Sequence, residues 1–148
     1  MKKAITFALL ALALTGCGED KPTANTNSAT SINQQEIAAE LAKGNIKVSD
    51  GTVLSFPDST ITSKITQNSL GKFQRYSITT AQDIMKIEGE VFATLAKAGY
   101  TRSVKKEEAG LYSVQYAKKG YPAMGANYNT LSNGINSEVT MHWKIESI

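Results

Sequence analysis

The sequence predicts an α+β domain in which an antiparallel sheet carries one long helix, over about residues 81–98, on one of its faces. The helix is predicted because apolar residues recur there at spacings of three and four. The sheet is predicted above all from residues 138–146, where Val139, Met141 and Trp143 alternate with polar residues. A chain of 148 residues accommodates one domain of ordinary size.

Shorter elements are predicted ahead of the long helix. A short apolar stripe between Asn33 and Gly44 predicts either a marginal helix, which needs docking to persist, or a continuation of the preceding polar segment. Residues 45–57 predict a hairpin, with its turn at Asp50 and the following glycine. Residues 61–78 predict a second hairpin.

The long helix has predicted boundaries at both ends. Thr80 is the predicted N-cap, with Asp83 three residues later, as in a capping box. Gly99 is the predicted stop. Gly89 costs about 1 kcal/mol inside a helix, so its presence suggests a close approach to another part of the molecule.

The clearest hairpin is predicted around the three-residue loop 108–110. Closing this hairpin with Glu107 opposite Leu111 pairs Val104 with Val114. The two strands then present one apolar face and one polar face.

No periodicity is evident between residues 119 and 137, so a long loop is predicted there. Such a connection is usually either functional or disordered. It carries Tyr121, Met124 and Tyr128 among glycines and asparagines, a composition that suits adaptable recognition. These three side chains are predicted to contact a partner; in the alternative interpretation they fold back over an open end of the core.

Basic residues cluster on and beside the hairpin around loop 108–110, here called the late hairpin. They are Arg102, Lys105, Lys106, Lys118 and Lys119. The cluster predicts a patch for an anionic partner such as a lipid headgroup, lipopolysaccharide or an acidic glycan. Arg102, Lys105 and Lys119 therefore join the candidate partner-binding residues. The alternative is that the lysines protect an edge strand from unwanted pairing.

No constellation of residues predicts catalysis. His142 is the only histidine and lies opposite the apolar face of the last strand, so it is predicted to be half-exposed and not a general base or metal ligand. Glu88 and Glu90 are two residues apart and do not share a helix face, and both are predicted to be solvated. The sequence therefore predicts a protein that is not an enzyme and has no metal or cofactor.

The amino terminus has the features of a secretory signal. Lys2 and Lys3 precede a run of eleven residues that are all apolar except Thr6, and this run is too short to span a bilayer. The run ends in Leu-Thr-Gly-Cys, which resembles the lipobox of bacterial lipoproteins and has Cys17 at its end. The resemblance covers residues 1–17 and implies that the Cys17 thiol carries a diacylglyceryl group after cleavage of residues 1–16.

The resemblance also implies a membrane location. In enterobacterial lipoproteins an Asp directly after the lipidated Cys favours the inner membrane, whereas this chain has Gly18. The expected location is the outer membrane, facing the periplasm. Residues 17–33 contain a single large apolar residue and predict a flexible tether, and residues 34–148 predict one globular domain.

The net charge of the chain argues against one class of function. Removal of Lys2 and Lys3 with the signal lowers the formal charge from +3 to about +1, which argues against nucleic-acid binding. The sequence thus predicts a non-catalytic, membrane-anchored lipoprotein with a binding or accessory role in the cell envelope. Two alternatives stay open: an envelope glycan or peptidoglycan hydrolase, and a structural lipoprotein of a secretion, conjugation or pilus assembly.

Overall fold

A computed structural model describes residues 34–146. The predicted signal peptide, Cys17 and the tether lie outside this range. Along the described residues the elements are α1 (Gln34–Leu41), β1 (Asn45–Lys47), β2 (Val53–Ser55), β3 (Thr60–Asn68), β4 (Gly71–Thr80), α2 (Ile84–Lys97), β5 (Thr101–Glu108), β6 (Leu111–Ala117), β7 (Met124–Thr130) and β8 (Ser137–Glu146).

The predicted α+β fold with one long helix is wrong, because strands dominate the domain. Strands account for 50% of the structure and helices for 19%. Helix α2 has 14 residues, so it is shorter than predicted at its amino-terminal end. The Asp83 carboxylate caps it by accepting hydrogen bonds from the backbone N–H groups of Met85 and Lys86, at 2.9 and 3.2 Å. Thr80, the predicted cap, instead ends β4.

Six strands form one antiparallel sheet in the order β3-β4-β8-β7-β6-β5, and β1 pairs with β2. Strand β8 is therefore central, with β4 on one side and β7 on the other. The prediction of a long loop over residues 119–137 is wrong, because β7 lies within it. Met124, Ala126 and Tyr128 alternate along β7 as buried residues, and the residues between them face the opposite side.

The predicted hairpins are confirmed: β1 pairs with β2, β3 with β4 and β5 with β6. The turn of the last one is tighter than predicted, with Glu108 opposite Leu111. A register shift between Val104 and Lys106 then restores the predicted pair of Val104 with Val114. The bulge thus offsets the one-residue difference between the predicted and the observed register at the turn.

The core lies on one side of the six-stranded sheet, here called the inner face. Its buried side chains come from β4, β6, β7 and β8. Helix α2 covers part of this face with Ile84, Ile87, Val91 and Leu95. The β1–β2 hairpin and α1 cover the remainder with buried or partly buried apolar residues, among them Ile46, Leu54, Ile37 and Leu41. The alternate residues of each strand form the outer face.

Candidate functional site

A cavity of about 430 Å³ lies between α1, β1 and the inner face of the sheet. Its floor is aromatic, because the rings of Tyr76 and Trp143 stack with their centroids 5.2 Å apart. Ile37 and Leu41 of α1 and Ile145 of β8 contribute apolar walls. A concave, mainly apolar cavity of this volume with a few polar groups is typical of a small-molecule site.

Charged groups on the α1 side of the cavity are paired with each other. The Lys47 Nζ atom lies 2.6 Å from a Glu36 carboxylate oxygen, and this hydrogen bond raises the pKa of Lys47. Glu40 accepts hydrogen bonds from Lys43 at 2.9 Å and from the Asn45 amide at 3.3 Å, which lower the pKa of Glu40. These contacts join α1 to β1 and to the connection between them.

The opposite rim of the cavity carries Lys144 and Tyr121. Lys144 forms no ion pair within residues 34–146. Tyr121 is 43% exposed, and Lys118 Nζ lies 5.0 Å from its ring centroid. Of the three tyrosine and methionine residues proposed from the sequence, Tyr121 is the one that borders the cavity.

Gly44 connects α1 to the rest of the domain, and its backbone conformation is one that residues other than glycine rarely adopt. Its φ is +72°, and a Cβ atom there would lie 2.9 Å from the carbonyl oxygen of Phe56. The backbone N–H of Phe56 donates to the Gly44 carbonyl at 2.8 Å. Helix α1 makes its closest association with β1, directly beyond this glycine.

Met124 and Tyr128 lie in the sheet and not at this site. Both side chains are fully buried, so neither is available to a partner in this structure. The Tyr128 hydroxyl lies 3.0 Å from the Tyr116 hydroxyl, inside the core. Both side chains lie in the core, as in the alternative interpretation, but they reach it from a strand paired on both sides and not from a loop folded over an open end.

The basic cluster of the late hairpin is divided by its ion pairs. Lys118 pairs with Asp50 at 2.7 Å, and Lys106 pairs with Glu108 at 3.0 Å. Lys105 and Lys119 form no ion pair within residues 34–146. The structure therefore does not bring the predicted basic residues together as one patch.

Arg102 lies on the inner face, where it binds a carboxylate that the sequence analysis placed in solvent. Its guanidinium contacts both oxygens of Glu88, at 3.0 and 3.1 Å, and stacks over the Phe92 ring at 4.5 Å. The hydrogen bond to Glu88 raises the pKa of Arg102. Tyr116 also donates to Glu88, and burial raises the pKa of the Tyr116 hydroxyl, which keeps it protonated as a donor.

The prediction that Glu88 is solvated is wrong, because its side chain is 3% exposed. A signal was present in the sequence, since Glu88 follows Ile84 by four residues and precedes Val91 by three, within the apolar stripe. Glu90 is exposed, as predicted. Glu88 is hydrogen-bonded on both oxygens, so its role in this structure is to hold α2 on the sheet.

His142 lies on the outer face, half-buried against Gly125, as its alternation along β8 predicted. Burial, followed by the nearby charge of Arg75, lowers the pKa of His142, so the imidazole is neutral at pH 7. Within residues 34–146 no group of three or more His, Cys, Asp or Glu side chains is placed to hold a metal ion.

Comparison of the chain with family models, with curated proteins and with solved structures found no match. In the part of the chain that the structure describes, neither helix has the length and apolar character needed to cross a bilayer. Any function proposed for the protein therefore rests on its own residues.

Proposed function

We propose that this protein is a lipid-anchored binding protein of the cell envelope, without catalytic activity, and that it holds a small amphiphile in the cavity beneath α1. The observation that carries the proposal is the cavity itself, with its stacked floor of Tyr76 and Trp143. Apolar ligand groups gain free energy by leaving water for such a surface, at about 25 cal/mol per Å² of buried area.

The distribution of charge around the cavity favours an anionic head group. Glu36 and Glu40 on α1 are already paired with Lys47 and Lys43. Lys144 on the opposite rim forms no ion pair in the described range. An amphiphile would place its acyl or ring portion on the aromatic floor and its negative group beside Lys144. A fatty acid has both parts.

The proposed lipid anchor places this cavity near a source of amphiphiles. Only 16 residues separate Cys17 from α1, and a flexible segment of that length spans about 20–25 Å root-mean-square. Helix α1, which roofs the cavity, is the first described element after the anchor. Ligands that partition into the bilayer surface would therefore reach the cavity over a short distance.

Trp143 permits a direct test, because it is the only tryptophan in the chain and lies at the cavity floor. The lipidated protein in nanodiscs of zwitterionic lipid is titrated with bromododecanoate, whose bromine quenches indole fluorescence on contact. We expect saturable quenching, and we expect Ile37→Arg to abolish it by placing a charge in the apolar wall. Met85→Arg, on the exposed side of α2, is the matched control and should quench as the unmodified protein does.

Circular dichroism and thermal unfolding establish that both variants remain folded. Quenching that is unsaturable, or that is equal in Ile37→Arg and the unmodified protein, would show that the fatty acid does not occupy this cavity and would exclude the proposal.

The anchor has an independent test. Cys17→Ser removes the proposed attachment atom, so the protein should leave the membrane fraction and the precursor should stay uncut. Fractionation followed by mass spectrometry of the amino terminus measures both effects. A Cys17→Ser protein that is still cleaved and still bound to membranes would contradict lipid attachment at this residue.

A further inference from the structure

The outer face of the sheet carries a row of residues that the strand register brings side by side. The row runs from Lys64 on β3 through Arg75, His142 and Gly125 to Gln115 on β6. Directly opposed residues on one face lie within side-chain reach of each other. The row lies on the side of the sheet away from α2 and from the cavity beneath α1.

Positive charge is concentrated on this face. Lys64 and Arg75 are direct cross-strand partners, an arrangement that disfavours folding because like charges oppose each other. Lys105 and Lys144 lie nearby along a common groove. Within residues 34–146 none of these four cations forms an ion pair. Such a group of cations is complementary to an anionic ligand.

The groove has a volume of about 380 Å³ and passes over Gly125. The His142 ring lies so close to this glycine that a Cβ atom there would be 2.6 Å from the His142 Cε1 atom. Absence of a side chain at position 125 therefore lets the imidazole lie against the sheet. The His142 Nδ1 atom is buried without a hydrogen-bond partner in the described structure.

The walls of the groove offer further polar groups and one ring. The Ser113 hydroxyl donates a hydrogen bond to the Asn127 side-chain oxygen at 2.7 Å. The Asn127 amide hydrogens take no part in this bond. Gln115 also lines the groove, and Phe73 provides an apolar surface beside Lys144. Sugars combine hydroxyl groups with an apolar ring face, so this mixture of amides and one phenyl ring suits a saccharide.

We propose that this groove binds an acidic saccharide. Its carboxylates would contact Lys105 and Lys144, its hydroxyls would hydrogen-bond to Gln115 and Asn127, and one sugar ring would lie on Phe73. A membrane surface is less well matched, because the large exposed hydrophobic residues of the described chain lie elsewhere and not on this face. The groove shares Trp143 and Lys144 with the lining of the cavity beneath α1, whereas Lys105 lines the groove and not the cavity, so a substitution at Lys105 distinguishes this site from the one proposed above.

Polygalacturonate serves as a defined acidic probe, and its methyl-esterified form serves as an uncharged counterpart. Binding to the lipidated protein in zwitterionic nanodiscs is measured by isothermal titration calorimetry. We expect Lys105→Ala/Lys144→Ala to weaken polygalacturonate binding by about tenfold or more. Lys86→Ala/Lys97→Ala on α2 removes the same number of charges from exposed positions and should leave the affinity unchanged.

Lys105→Ala alone should give a smaller loss of the same sign, and this variant does not alter the cavity beneath α1. Failure of the unmodified protein to bind polygalacturonate would overturn the proposal. An equal loss in the α2 control would overturn it too, because binding would then follow overall charge. Vesicles containing phosphatidylglycerol provide the last arm: if they bind and the saccharide does not, the face contacts a membrane surface instead.

Discussion

The Tyr116 hydroxyl donates a hydrogen bond to the Glu88 carboxylate across 3.1 Å, between the inner face of the sheet and the buried side of α2. Arg102 binds the same carboxylate from β5. Glu88 therefore connects one helix to two strands through charge-assisted hydrogen bonds, which are stronger than neutral ones. Apolar packing alone would allow α2 to slide over the sheet, whereas these contacts select one position.

Replacement of Glu88 tests this connection. Glu88→Ala leaves the Tyr116 hydroxyl and part of the Arg102 guanidinium without their partner, so the free energy of unfolding should fall by about 1–3 kcal/mol. Urea unfolding followed by circular dichroism measures the change. Glu90→Ala, two residues along the same helix and exposed, should have almost no effect. Similar losses for both variants would contradict a specific role for Glu88.

Asp50 should make the stability of the domain depend on acidity. Burial opposes its ionisation, but hydrogen bonds from Lys118 and the backbone of Thr52 outweigh burial and lower the pKa of Asp50 below its ordinary value of 3.8. The folded state therefore binds this proton less readily than the unfolded state. Stability from Asp50 is present above pH 3.8 and is lost as pH falls through the lower folded pKa.

Urea unfolding at a series of pH values down through this range should show the loss. Asp50→Asn cannot ionise, so its stability should change less over the same interval, although it starts lower at neutral pH. If the two proteins lose stability in parallel on acidification, the Asp50–Lys118 pair does not supply the effect.

The contact between Gly125 and His142 predicts a coupled pair of substitutions. Gly125→Ala places a methyl group where the imidazole lies, so it should destabilise the protein by about 1–3 kcal/mol. In a His142→Ala background the obstruction is gone, and the same substitution should cost little. A double-mutant cycle measured by thermal unfolding reports this difference. Additive effects of the two changes would mean that the ring does not occupy this position in solution.

Gly89 offers a stabilising substitution. The sequence suggested that this glycine permits a close approach, but the structure contradicts this, since nothing lies within 4 Å of a Cβ atom built there. Gly89→Ala should therefore raise the free energy of unfolding by about 1 kcal/mol, the difference in helix propensity. Differential scanning calorimetry should detect a higher Tm. A lower Tm would indicate an unrecognised contact at this position.

Local sequence patterns predicted those elements whose turn residues and alternation are visible within a few residues. The three hairpins carry turn residues between alternating segments, and β8 alternates without interruption. Strand β7 was missed because Gly125, Asn127 and Asn129 are typical of loops. Its inward residues include the small Ala126, which weakens the apolar signal. The strand is stable because β6 and β8 pair with it on both sides, a tertiary effect that local propensity does not contain.

The candidate sites were less predictable than the strands. Tyr76 and Trp143 are 67 positions apart in the sequence, and the pairing of β4 with β8 brings them together. The same holds for Lys105 and Lys144, which reach one groove from separate strands. Tyr121 was predicted as part of a long loop, and in the structure it lies in the short connection between β6 and β7 and borders the cavity. The cavity itself was not predictable, because its walls are set by long-range register.

The central position of β8 imposes an order on folding during synthesis of the chain. Strands β3–β4 and β5–β7 form two halves that are joined in one sheet by β8, which is synthesised after both. Until β8 emerges, β4 and β7 each present an unpaired edge, the type of edge along which chains aggregate. The two halves of the sheet therefore join only when β8 is available to pair with both, which makes this pairing a late step of folding.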